Sequence, residues 1–100
     1  MTKIILADEA KSDLSGIIRY ISIDNPTTAK VFVRELLKQA KDTLSIFPLS
    51  CPVYNQDLDI RRFVYKKYNI YYRYDETSNT ATLLHVIHSA LLANTELKSQ

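Results

Sequence analysis

The 100-residue chain has no tryptophan, one glycine, one cysteine, one methionine and only three prolines. With Gly16 its only glycine, it lacks the Gly-rich loop that cradles phosphates, which argues against nucleotide hydrolysis through such a loop. Cys51 alone cannot form an internal disulfide, in keeping with a reducing compartment. One Cys and two His, His85 and His88, give none of the usual metal-ligand spacings, so neither a metal nor another cofactor is expected. Ile4 to Ala7 is too short for a signal-peptide core, and no apolar run approaches the roughly 18 residues of a membrane helix. The chain therefore reads as cytoplasmic, with no membrane partner. Its length, with 46% apolar and 24% charged residues, suits a single domain spanning residues 1–100.

One further absence is local. Between Arg61 and Tyr74 there is no Asp or Glu, while five of the 13 Lys and Arg (Arg61, Arg62, Lys66, Lys67, Arg73) and five of the seven Tyr fall there. This segment carries +5 in a chain of formal charge +2, so the remainder stands at −3. Mild overall basicity thus hides a concentrated positive stretch on a slightly acidic body.

The periodicity predicts an α+β order. Lys3 to Ala7 is a short β-branched strand. Asp8 offers an N-cap to a helix whose apolar residues are Ala10, Leu14, Ile17, Ile18 and Ile21. Asn25-Pro26 ends it and starts a second, with Asn as cap and Pro at the first helical position. Ala29, Phe32, Val33, Leu36, Leu37, Ala40 and Leu44 give that helix a full apolar face, and it ends near Ser45. So short a link predicts an antiparallel helical hairpin. Pro48 to Asp59, with two prolines and no period, reads as a loop. Ile60 to Lys66, Tyr68 to Tyr74 and Ala81 to His88 read as a three-stranded antiparallel meander, with tight turns near Lys67 and across Asp75 to Thr80. Ser89 caps a short C-terminal helix over Ala90 to Leu97.

Strand alternation places Arg61, Phe63 and Tyr65 on one face and Arg62, Val64 and Lys66 on the other. In the next strand Tyr68, Ile70, Tyr72 and Tyr74 form the better face for packing under the helices, which leaves Tyr71 and Arg73 on the open face. Cations beside exposed rings can hold a nucleic-acid strand by phosphate pairing and base stacking, or an acidic protein surface. The same composition also fits an ordinary Tyr-rich sheet whose Arg and Lys solvate the outer face and whose Lys protects an edge.

The order and spacing of these pieces resemble the RelE/ParE superfamily of small toxins from bacterial type II toxin–antitoxin modules, and its ParE branch in particular. The resemblance covers residues 4 to 89. It is carried by Ala10, Asp13-Leu14, Ile17 and Tyr20-Ile21; by Asn25-Pro26 with Ala29 and Phe32; by Leu44 before Pro48; by Arg62 and Tyr65; by Tyr68, Ile70, Tyr72 and Tyr74; and by Val86 with His88. It implies a toxin neutralised by a cognate antitoxin whose disordered tail folds as it wraps the toxin, as a hetero-oligomer with or without a toxin dimer. The expected antitoxin surface is the outer side of the Asp8 to Ser45 hairpin with the sheet edge. ParE-like toxins trap DNA gyrase on cleaved DNA as binders, whereas RelE-like relatives cut messenger RNA on the ribosome.

Between these mechanisms the residues favour binding. Metal-free RNA cleavage needs a base, an acid and cations for the phosphorane charge. Arg61, Arg62, Lys66, Lys67 and Arg73 supply cations. RelE-like nucleases add a Tyr or His and an Arg near the C-terminus, but from His88 to Gln100 this sequence has neither Tyr nor Arg. His85 and His88, three apart on one strand, point to opposite faces. His88 matches a His of ParE-like chains and is assigned local hydrogen bonding ahead of catalysis, while Cys51 has no visible activator. The target-binding candidates are thus Arg61, Arg62, Lys66, Lys67, Tyr71 and Arg73, with gyrase as target. The alternatives are a ribosome-dependent endoribonuclease using the same cations, and an antitoxin-binding relative without toxicity.

Overall fold

A computed structural model describes residues 1–90. The chain begins with β1 (Lys3–Leu6), which leads without a linker into α1 (Asp8–Ser22). The expected Asp8 cap is not formed. Ala7 is the N-cap residue, in extended conformation and with no side-chain cap, because its own N–H still belongs to the sheet and donates to the Leu83 carbonyl at 2.9 Å. Asp8 and Glu9 instead fill the first turn, where the helix dipole favours negative charge. Asn25 behaves as expected: its Oδ1 accepts the Thr28 N–H at 3.1 Å and opens α2 (Pro26–Leu44), with Pro26 in the first turn.

The rest of the chain is sheet. β2 (Val53–Asn55) lies inside the stretch expected to be loop, followed by β3 (Ile60–Tyr65), β4 (Tyr68–Asp75) and β5 (Thr80–His88). β3, β4 and β5 form the antiparallel meander, β2 adds to the far side of β3, and β1 pairs parallel to β5, giving the order β1-β5-β4-β3-β2. β2 escapes detection because three residues carry no period and its register with β3 is broken by a bulge.

The two helices cover one sheet face. Leu14 and Ile17 of α1, with Val33, Leu36, Ala40 and Leu44 of α2, meet Tyr68, Ile70, Tyr72, Leu83 and Val86 in a single apolar core. This is the expected partition of β4. Arg61 and Tyr72 then pin the α2–β2 loop beneath the sheet: Arg61 donates to the Cys51 and Leu49 carbonyls at 2.7 and 3.3 Å, and the Tyr72 hydroxyl donates to the Pro48 carbonyl at 2.8 Å. The expected C-terminal helix, beyond Ala90, lies outside the described residues.

Candidate functional site

Three separate surfaces receive the cations that the sequence places together. Arg61 faces the helix side, where its guanidinium donates to the loop carbonyls and anchors them. Lys66 and Lys67 form the β3–β4 turn and are exposed, with Lys66 at φ 53° rather than continuing the strand. That left-handed conformation swings Lys66 Nζ away from the Arg62 face, to 5.9 Å from the Phe32 ring and 5.5 Å from that of Tyr65. Only Arg62 and Arg73 remain on the face opposite the helices.

On that face Arg62 is the cross-strand partner of Tyr71, and Ile60 lies one row away. Tyr71 was expected to be exposed there and is not: its accessibility is 0%. It packs with Ile60, Ile87, Leu58 and Leu84 in a second, smaller apolar cluster, and the Tyr54 ring of β2 meets it edge-on at 4.6 Å. The missed strand β2 is therefore what covers it. Arg62 lies over the same Tyr54 ring at 5.9 Å. The Tyr71 hydroxyl is buried without a hydrogen-bond partner. Burial pushes its pKa up, while the nearby Arg62 guanidinium, close but not in hydrogen-bonding geometry, pulls the other way.

Beside this cluster lies a depression of about 310 Å³, lined by Leu58, Ile60, Tyr71 and Leu84 with Glu9, Arg73 and His85 at hand. A register shift between Tyr71 and Tyr72 leaves Leu84 as the extra residue of β5, and Leu84 joins the open-face cluster together with Ile87. Among the described residues neither Arg62 nor Arg73 makes a side-chain hydrogen bond or ion pair.

The histidines are held apart. His85 pairs across from Tyr71 on the open face, and its Nδ1 is 3.2 Å from Asp13 Oδ2. The same carboxylate oxygen accepts the Val86 N–H at 2.9 Å, so Asp13 of α1 takes over the edge of β5 just past the end of β1. His88 pairs across from Tyr68, stands edge-on to its ring at 4.9 Å, and accepts the Ala90 N–H at Nδ1. A neutral His88 therefore carries its proton on Nε2. Sequence reading missed Asp13 and Tyr54 as site residues; Asp13 sits among polar residues at helical spacing with nothing local to distinguish it. Among the described residues no group of three or more His, Cys, Asp or Glu is placed to hold a metal ion, and no helix is long and apolar enough to cross a membrane.

A helical hairpin over one face of a five-stranded sheet, with a cationic second face, defines the class: an α+β domain of the RelE/ParE superfamily of toxins. The chain belongs to the ParE family, described as the ParE toxin of the type II toxin–antitoxin system parDE, which it matches over residues 4–91. Its fold is similar to a chain of the chromosomal ParDE TA system from P. aeruginosa, at TM-score 0.72 and 15% identity, covering 88% of this chain and 96% of that one. It is also similar to a chain of the RelBE2 toxin–antitoxin complex from Mycobacterium tuberculosis, at TM-score 0.65 and 20% identity, covering 87% and 96%. No curated protein sequence gives a significant match.

Proposed function

We propose that this ParE-family toxin is held inactive by a cognate antitoxin and inhibits growth by binding and poisoning DNA gyrase, cutting no nucleic acid itself. Family membership and the likeness to chains of two toxin–antitoxin systems support the antitoxin. The observation that carries the binding mechanism is the placement of the histidines. Proton transfer in RNA cleavage needs an acid and a base flanking one phosphate. Here His85 is engaged by Asp13 on the open face, while His88 lies across from the core-facing Tyr68 with Nδ1 occupied by a backbone N–H. They do not address a common point. The cations are likewise divided between the open face and the β3–β4 turn, an arrangement suited to contacting a broad protein surface.

The deciding experiment is a gyrase supercoiling and cleavage assay with the purified protein, run beside a translating-ribosome reaction probed for cut message. Trapped gyrase–DNA breaks with intact message are expected. Cut message with unaffected gyrase would establish the endoribonuclease alternative and put Arg62, Arg73 and His85 of the open face at its centre.

A further inference from the structure

The open face holds donors with nothing to donate to. Tyr71 is fully buried, its hydroxyl has no partner, and the Arg62 guanidinium beside it makes no hydrogen bond or ion pair among the described residues. A native chain rarely leaves a buried hydroxyl unpaired, because it loses its water without replacement. The Tyr71 O–H proton and the Arg62 guanidinium have no acceptor beyond the Tyr71 oxygen itself, which describes the missing group: an anion or carbonyl oxygen seated between Arg62 and Tyr71. The adjoining depression, lined by Leu58, Ile60 and Leu84, asks for something different, an apolar side chain. Arg73 lines that depression and brings a second positive charge.

We infer that this face receives a protein segment presenting a carboxylate to Arg62 and Tyr71 and an apolar side chain to the depression beside them. A nucleic-acid strand fits less well on two counts. Stacking needs an exposed ring face, and the Tyr71 ring is buried beneath Tyr54, which Arg62 in turn overlies. The acidic Glu9, one helical turn before Asp13, also borders the depression and would repel a phosphate backbone, charged at every residue, more than the single carboxylate a peptide seats at Arg62. A peptide carboxylate can bond a guanidinium and a phenol together and place its neighbouring side chain on the apolar lining. The inference rests on reading this chain as a partner-binding protein and does not depend on the partner being gyrase.

The test is an amide NMR titration of the full chain with the acetylated, amidated heptapeptide Ala-Leu-Glu-Leu-Asp-Leu-Ala, with its carboxamide version (Gln and Asn for Glu and Asp), and with single-stranded oligothymidylate. Saturable shifts at Leu58, Ile60, Tyr71 and Leu84 are expected with the acidic peptide at millimolar concentration. The carboxamide peptide is expected to bind about tenfold or more weakly, as for loss of a charge-assisted pair. Arg62→Gln and Tyr71→Phe should each weaken the acidic peptide, and Tyr71→Phe, which removes one oxygen, keeps the fold for that comparison. No saturable shift, equal binding of the two peptides, shifts confined to the Lys66–Lys67 turn, or oligothymidylate occupying this face in the peptide's place would each overturn the inference. Because gyrase is absent from the titration, a negative gyrase assay leaves this result standing, and a negative titration leaves the gyrase assay standing.

Discussion

Replacing Tyr71 by Phe is expected to make the free protein more stable, an unusual direction for a fully buried core residue. The substitution keeps the ring, its edge-on contact with Tyr54 at 4.6 Å and its packing on Ile60 and Ile87, and removes only a hydroxyl that has no partner. Burying a hydroxyl without a hydrogen bond costs about 1–3 kcal/mol. The nearby Arg62 charge recovers part of that by favouring the oxygen, so a gain of about 1–2 kcal/mol is expected. In a domain of this size each kcal/mol moves the melting temperature by roughly 4–8 °C. Urea and thermal unfolding followed by circular dichroism at neutral pH would read both, with an unchanged m-value. Tyr72→Phe is the internal control. It has the same 0% accessibility but loses a 2.8 Å bond to the Pro48 carbonyl, and so should cost about 0.5–1.5 kcal/mol. A Tyr71→Phe protein less stable than the parent would mean that the hydroxyl is satisfied in solution, and the inference drawn from its isolation would fall with it.

Leu36→Ala, at a fully buried site in the face of α2, should cost about 2–5 kcal/mol in the same melts, and an unaffected variant would contradict the core described above. Gly16→Ala should gain about 0.5–1 kcal/mol, since Gly16 is inside α1 and an added methyl meets nothing within 4 Å; a loss would point to an unrecognised contact. Burial raises the pKa of Tyr68, Tyr71 and Tyr72, so above about pH 10 the unfolded chain sheds phenolic protons that the native chain keeps. Stability from these groups is complete below that pH and falls as pH rises through it; an alkaline series of urea midpoints that stays flat would refute this. Charge reversal at Lys66 and Lys67 together should abolish growth inhibition while leaving the melting temperature nearly unchanged, because both are exposed turn residues. Full toxicity from a correctly folded double variant would remove the turn from the target surface.

The helical hairpin, the meander and the core-facing set Tyr68, Ile70, Tyr72 and Tyr74 were legible because each rests on a period that extends over several residues. β2 was not, since Val53, Tyr54 and Asn55 are too few to show alternation. That omission propagated: without β2 there is no Tyr54 over Tyr71, and Tyr71 reads as an open-face ring. The site suffered in the same way. Five neighbouring cations look like one surface in sequence, but a loop carbonyl pair claims Arg61 and a positive φ turns Lys66 toward Phe32. Both depend on residues distant in the chain or on a single backbone angle, and neither leaves a local pattern. Asp13 is the extreme case, a helix carboxylate whose partners His85 and Val86 come some 70 residues later.

The parallel pairing of β1 with β5 joins Lys3 to Thr80, so among the described residues the earliest strand has its neighbour in the latest. Translation at about 5–20 residues per second leaves roughly 4–15 s between the two. Throughout that interval β1 has no strand to pair with, and α1, which follows it directly, lacks the β5 edge that Asp13 later binds. A toxin built this way cannot complete its sheet while most of it is still being made. Its manufacture thus contains a delay during which any extended segment able to pair with β1 would reach it before β5 does.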